Sequence, residues 1–216
     1  NMYPAFLVLI IILSYILLRS VSASLLSLIV IFLSILPSMG SAGWLEYQVL
    51  PPLIIAPIII LTIALAHAIH ILSIALSNMN EGMQKDKAII ESMKINFTPV
   101  FLTSFTTAVG VAGVNFGNIP AFSQMANAVV FGAAYSFVLS VTVLPALFMV
   151  MPIKSDGKNN IILPALHALG NFIFKFKYYV ITFITLITIF LISLIPTLYF
   201  DDDFDAYFDR VDDWVE

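Results

Sequence analysis

"LTIALAHAIHILSIAL", residues 61–76, reads as a helix made for lipid, yet it carries His67 and His70 on one short run. No charged side chain stands near them, because residues 47–80 contain no Lys, Arg, Asp or Glu. Spanning the hydrocarbon takes about 20 apolar residues in a helix, and this run is longer than that. Working outward, the same holds for residues 20–45, 95–153 and 178–200. The whole sequence of 216 residues is 61% hydrophobic and 10% charged, with a mean hydropathy of +1.03, whereas a soluble domain carries roughly a quarter charged residues. The expected fold class is therefore all-α and polytopic, since lipid forces backbone polar groups to pair within a helix.

Six spans fit the pattern, near 3–18, 22–42, 52–76, 99–116, 123–151 and 178–198. The stretch 95–153 is too long for one span, and "FGNIP", 116–120, supplies the turn that divides it. Lys and Arg placement gives the orientation. Arg19, then Lys85, Lys87 and Lys94, then Lys154, Lys158, Lys175 and Lys177 all fall in alternate connections, which places those connections in the cytoplasm. Trp44, Glu46 and Tyr47 then mark a short outer loop, and Tyr178 and Tyr179 an interfacial anchor.

Two connections have further character. Residues 82–97 place Met83, Ile90, Met93 and Phe97 at helical spacing, as in an amphipathic helix lying on the membrane or under the bundle, or a plain solvated connector helix. Residues 153–177 read as a polar linker that becomes a short interfacial helix, with His167 an ordinary member of it. In the fourth span Ser104, Ala108 and Ala112 recur every four residues, and Gly113 and Gly117 add a G-x-x-x-G, a pattern that lets helices approach closely in lipid. Thr103, Thr106 and Thr107 add hydroxyls to the same helix.

The net charge of −4 hides two populations. Residues 200–216 hold eight acids and one Arg, and the rest of the chain is positive. Asp201, Asp203, Asp205, Tyr207, Asp209 and Asp212 fall on the ligand positions of a calcium loop, but Ala206 stands where a glycine makes the turn and Asp212 where a longer Glu is needed. That segment reads as a solvated lead into a further domain. The sequence holds no cysteine, which excludes disulfides and thiolate metal sites. No nucleophile–base pair, phosphate loop or metal constellation is visible, so neither an enzyme nor a cofactor is implied, and nothing points to nucleic acid. The chain reads as a piece of a longer polypeptide.

The order of features resembles a family. "IALAHAIHILS" is followed by a charged loop, then by "NFTPVFLTSFTTAVGVAGVNFGNIPAF" and "VVFGAAYSFVLSVTVLPALFMVMP". This is similar to the resistance–nodulation–division (RND) superfamily, in its MMPL branch of predicted exporters, and shares the span order of sterol-sensing domains. The resemblance implies two repeats, each with one helix, a large extracytoplasmic domain and five more helices. Residues 1–152 would be helices two to six of the first repeat, 153–177 the cytoplasmic linker, 178–199 the first helix of the second repeat and 200–216 the start of an extracytoplasmic domain. It implies efflux of hydrophobic or lipid-like molecules across a bacterial inner membrane, often proton-coupled. Its partners would be membrane lipid, a hydrophobic substrate and the remainder of its own chain, with a homo-oligomer also open. A sterol-sensing-type lipid sensor and a membrane biogenesis accessory factor are the alternative readings.

The histidines are the candidate pathway residues. Residues three apart on a helix are neighbours, so His67 and His70 are expected to share a face. Ionisable groups at such depth usually face the bundle interior. In the family an Asp stands three residues before a His on this face, so His70 matches the His and His67 occupies the Asp position. Histidine titrates near neutrality and can also exchange protons. The plainer expectation is an imidazole bonded to a hydroxyl of a neighbouring span, such as Thr103, Thr106 or Ser136. A metal is not expected, because metal sites generally need three or more ligands.

Overall fold

The computed structural model describes residues 2–117, 119–153 and 162–195, with side chains from 6 onward in the first stretch and from 169 in the last. The acidic segment, Arg210, Lys154 and Lys158, and the His167 side chain lie outside the described residues. Helices α1 (Met2–Leu18), α2 (Val21–Trp44), α3 (Pro51–Asn80), α4 (Lys85–Ala112), α5 (Pro120–Val141) and α6 (Val143–Val150) belong to one compact unit. Helices α7 (Ile162–Lys175) and α8 (Lys177–Ser193) belong to a second. No strand is present among the described residues, and the fold is all-α.

Local sequence explains where the helices start and stop. Ser20 caps α2, its hydroxyl accepting from the Ala23 amide at 3.5 Å, and Arg19 turns the chain with φ 48°. Pro51 and Pro52 open α3, where the missing N–H costs nothing. Gly82, with φ 91°, makes the turn into α4, a conformation that favours a residue without Cβ. At the far end α4 tightens into a 3₁₀ turn, Gly113–Phe116, before the chain reverses. Pro37, Pro57 and Pro99 stay inside α2, α3 and α4, as membrane helices tolerate when neighbours satisfy the freed carbonyls.

In the first unit α3 packs against α1, α2, α4 and α5, while α5 packs against α2, α3 and α4. The interior sets large apolar side chains such as Ile60, Ile71, Leu144 and Phe148 among many small and hydroxylated ones. The buried face of α2 is Ala23, Ser24, Leu26, Ser27, Val30, Ile31, Ser34, Ser38 and Ala42, whereas Leu25, Ile29, Phe32 and Leu36 point outward. Lipid is as apolar as leucine, so contact between helices is won by close approach and hydrogen bonds instead of water release. Ser38 donates to the Ala128 carbonyl of α5 at 2.6 Å, and Ser14 and Ser27 bond across α1 and α2 at 2.7 Å.

Several expectations change. The amphipathic helix near 82–97 is not separate: it is the opening of α4, continuous to Ala112. Its inward residues are Ala88, Ile89, Ser92, Asn96, Val100 and Ser104, while Ile90 and Phe97 face outward. Pro99 does not break the helix, because its cost is confined to one missing N–H and a nearby carbonyl. The fifth span is broken at Thr142 into α5 and α6, although together they cover Pro120–Val150.

Against the six spans expected, four helices among the described residues are long and apolar enough to cross, Val21–Trp44, Pro51–Asn80, Lys85–Phe116 and Pro120–Val150, or five if a bent pair is one span. Helix α1 is shorter, with 17 residues, a rise of roughly 26 Å against a core of about 30 Å. In the second unit the helix bends by 87° between Lys175 and Lys177. There each lysine lies over a neighbouring ring, Lys175 at 5.4 Å from the Phe176 centroid and Lys177 at 5.2 Å from that of Tyr178. This expected linker is therefore largely helical from Ile162 onward.

Candidate functional site: a buried imidazole between three helices

Within α3 the two histidines part company. His67 is 1% exposed, and His70 is exposed at the bundle surface. Three residues advance a helix by about 300°, leaving the two side chains some 60° apart. At the edge of a buried face that angle separates inside from outside, so the shared face expected from spacing is not formed.

The His67 ring is held at both nitrogens. Nδ1 lies 2.9 Å from Ser136 Oγ on α5, and Nε2 lies 3.3 Å from Ser104 Oγ on α4. A neutral imidazole donates from one nitrogen and accepts at the other, and a serine hydroxyl can do either. The trio is satisfied in both tautomers if the hydroxyls rotate to match. It therefore joins α3, α4 and α5 through one ring.

Thr103 and Thr106 do not join it. Both are exposed, and their hydroxyls bond back to their own helix, Thr103 to the Pro99 carbonyl at 2.8 Å and Thr106 to that of Leu102 at 2.7 Å. Ser104, expected as a packing residue, is the α4 hydroxyl that reaches the ring. The rest of that packing row thins out: Ala108 and Ala112 are half-buried, and Gly113 and Gly117 are exposed. The G-x-x-x-G falls where α4 gives way to its 3₁₀ turn, so it offers no continuous helical face.

Ser136 belongs to a stripe that the sequence reading did not single out. Gly132, Ser136, Ser140, Leu144 and Phe148 recur every four residues and are all buried. A Cβ at Gly132 would run into the Ile60 side chain of α3, so the glycine is what lets α3 and α5 close up one turn from the ring. On α4 the matching row is Ala88, Ser92, Asn96, Val100 and Ser104. Here Ser92 donates to the Ile71 carbonyl at 2.5 Å, and Asn96 to that of Ser92 at 2.9 Å. The signal in both cases is small or polar residues at a spacing of four, the same signal that was read for Ser104, Ala108 and Ala112.

Among the described residues no carboxylate is buried, and no three His, Cys, Asp or Glu gather where they could hold a metal. The polar chemistry of the bundle interior rests on one imidazole, hydroxyls, an amide and backbone carbonyls. Neither a curated protein sequence nor a solved structure gives a match to the chain. The profile of the MMPL family matches residues 2–158. That range takes in the whole bundle from α1 to α6 and the ring at its centre, and the chain belongs to the MMPL family of membrane transporters.

Proposed function

We propose that the chain is part of a secondary active exporter that moves hydrophobic or lipid-like molecules across a bacterial inner membrane, coupled to protons, with His67 in the coupling network. The observation that carries this reading is the burial of one titratable ring, tied to hydroxyls of two other spans, in an interior whose described part has no buried acid. Buried ionisable groups in membrane bundles mark pathways and relays. Protonation turns both ring nitrogens into donors, which changes what Ser104 and Ser136 must do and so links proton binding to the fit of three helices. In this reading the lysine-bearing connections face the cytoplasm, and the remainder of the longer chain completes the path. His70, Thr103 and Thr106 stand on the outward faces of α3 and α4, where that remainder or the substrate would meet them.

The test is the full-length protein in proteoliposomes, with an imposed pH gradient and a fluorescent lipid analogue as probe. His67→Ala is expected to abolish gradient-driven movement of the probe, and His67→Asp to retain part of it. Undiminished transport by His67→Ala would defeat the role of the ring. Binding of the probe without any gradient-driven movement in the parent protein would favour the sterol-sensing-type reading instead.

A further inference from the structure

The α5–α6 stripe runs without interruption across a helix that is itself interrupted. Between Ser140 and Leu144 the helix stops at Thr142, with φ −115° and ψ −64°. The Thr142 hydroxyl is taken by the Val138 carbonyl at 2.6 Å. Pro145 has no N–H to offer the Val141 carbonyl four residues back, so the ladder lacks one rung at the break, between the Thr142 N–H bond to the Val138 carbonyl at 3.0 Å and the Ala146 N–H bond to the Thr142 carbonyl at 3.3 Å. Ser140 Oγ, beside the break, is buried without a hydrogen-bond partner. The eight-residue α6 is thus joined to α5 by a weak seam, and two buried side chains, Leu144 and Phe148, seat it in the bundle.

The far end of α6 is held from another helix. Lys85, the first residue of α4, donates from Nζ to the carbonyls of Met149 at 3.0 Å and Met151 at 2.6 Å. The same ammonium lies 5.6 Å from the centroid of the Phe148 ring. From α2, Ser22 donates to the Pro152 carbonyl at 3.2 Å. Carbonyls at a helix C-terminus carry partial negative charge and favour a cation. The ammonium satisfies two of them at once and also covers the ring that anchors the segment.

We propose that α6 is a hinged segment turning about Thr142 and Pro145, and that Lys85 is the latch that holds it closed against the bundle. This goes beyond the transport reading, and its test needs no transport. A weak seam at one end and a detachable cation at the other allow α6 to open as a unit, with Ser22 as a lesser tie. The opening of α4, which carries Lys85, then governs the end of α6 although the two are far apart in sequence.

The sequence has no cysteine of its own, so spin labels are readily placed. Lys87→Cys and Val150→Cys, both exposed, put one label on the α4 opening and one on the end of α6. In the full-length protein in lipid bilayers, pulsed electron spin resonance should give one short distance. Lys85→Met should add a longer distance, with a rise of at least roughly tenfold in the open fraction for the loss of two charge-assisted bonds. Lys85→Arg, which keeps the cation and its donors, should restore the single short distance. Adding Pro145→Ala to Lys85→Met should also close the distribution, because the helix can then run through the break. Where Lys85→Met does not accumulate in the membrane, Lys85→Gln serves as the release variant with the same readings. An unchanged distribution in the release variant would overturn the latch, and a longer distance that persists with Pro145→Ala would overturn the hinge.

Discussion

A single imidazole connects three transmembrane helices, and its two bonds differ in length. Ser136 at 2.9 Å makes the better-formed contact and Ser104 at 3.3 Å the looser one. Side-chain hydrogen bonds within membrane bundles average about 0.6 kcal/mol and reach about 1.7 kcal/mol, because the unfolded chain in the bilayer also finds partners. Ser136→Ala should therefore lower stability by about 0.6 kcal/mol or somewhat more, and Ser104→Ala by less. Reversible unfolding in mixed micelles would measure both. Combined with His67→Ala, each serine change should cost less than it does alone, since residues in contact are not additive. Full additivity for Ser136 would mean that the bond contributes nothing. At this scale the sequence made His67 legible as a buried polar group, because an ionisable residue in an uncharged run has few places to go. It did not separate the ring from His70. That outcome depends on where the buried face of α3 ends, which is set by the helices packed around α3 and not by α3 itself.

Helices α4 and α5 show why the elements were easier to read than their faces. Uncharged length identified each of them, and the turn at 116–120 came through as the 3₁₀ turn and the reversal before Pro120. The faces were harder, because in lipid the large apolar residues mark the outside. Reading Met83, Ile90, Met93 and Phe97 as a surface helix followed the rule for water. The helix instead turns Ala88, Ser92 and Asn96 inward and continues past Pro99. Amide hydrogen exchange in lipid nanodiscs should reflect this. Protection is expected to rise after the first turn of α4 and to persist through Asn96 and Val100 toward Ser104, with at most a local dip at Pro99. A fast-exchanging gap near Phe97 would indicate two helices with a joint. Thr103 and Thr106 do not bond the ring for a related reason: a threonine in a membrane helix can satisfy itself on the preceding turn, so its presence does not reveal a partner.

At the scale of the whole molecule, the first unit is a bundle in which Arg19 and Trp44 lie at opposite ends of α2, and the connections bearing Trp44 and Lys85 at opposite ends of α3. Reporter tags inserted after Arg19 and near Trp44 of the full-length protein should therefore lie in different compartments, with the Arg19 site in the cytoplasm. A common compartment for both would contradict the threading of α2. The number of crossings was the least legible quantity. Charge spacing separates apolar runs well, but it does not say whether a run is straight, broken as at Thr142, or bent as at Phe176.

The serine-and-alanine interior described for α2 has a consequence for how the protein can be handled outside its bilayer. A water-soluble globule hides most of its oiliest side chains in a core that water itself drives together. Here the tightest contacts are matters of size, while Leu25, Phe32 and Leu36 look outward. Acyl chains are in effect the outermost layer of the packing, and any detergent chosen for purification replaces a structural component as well as a solvent.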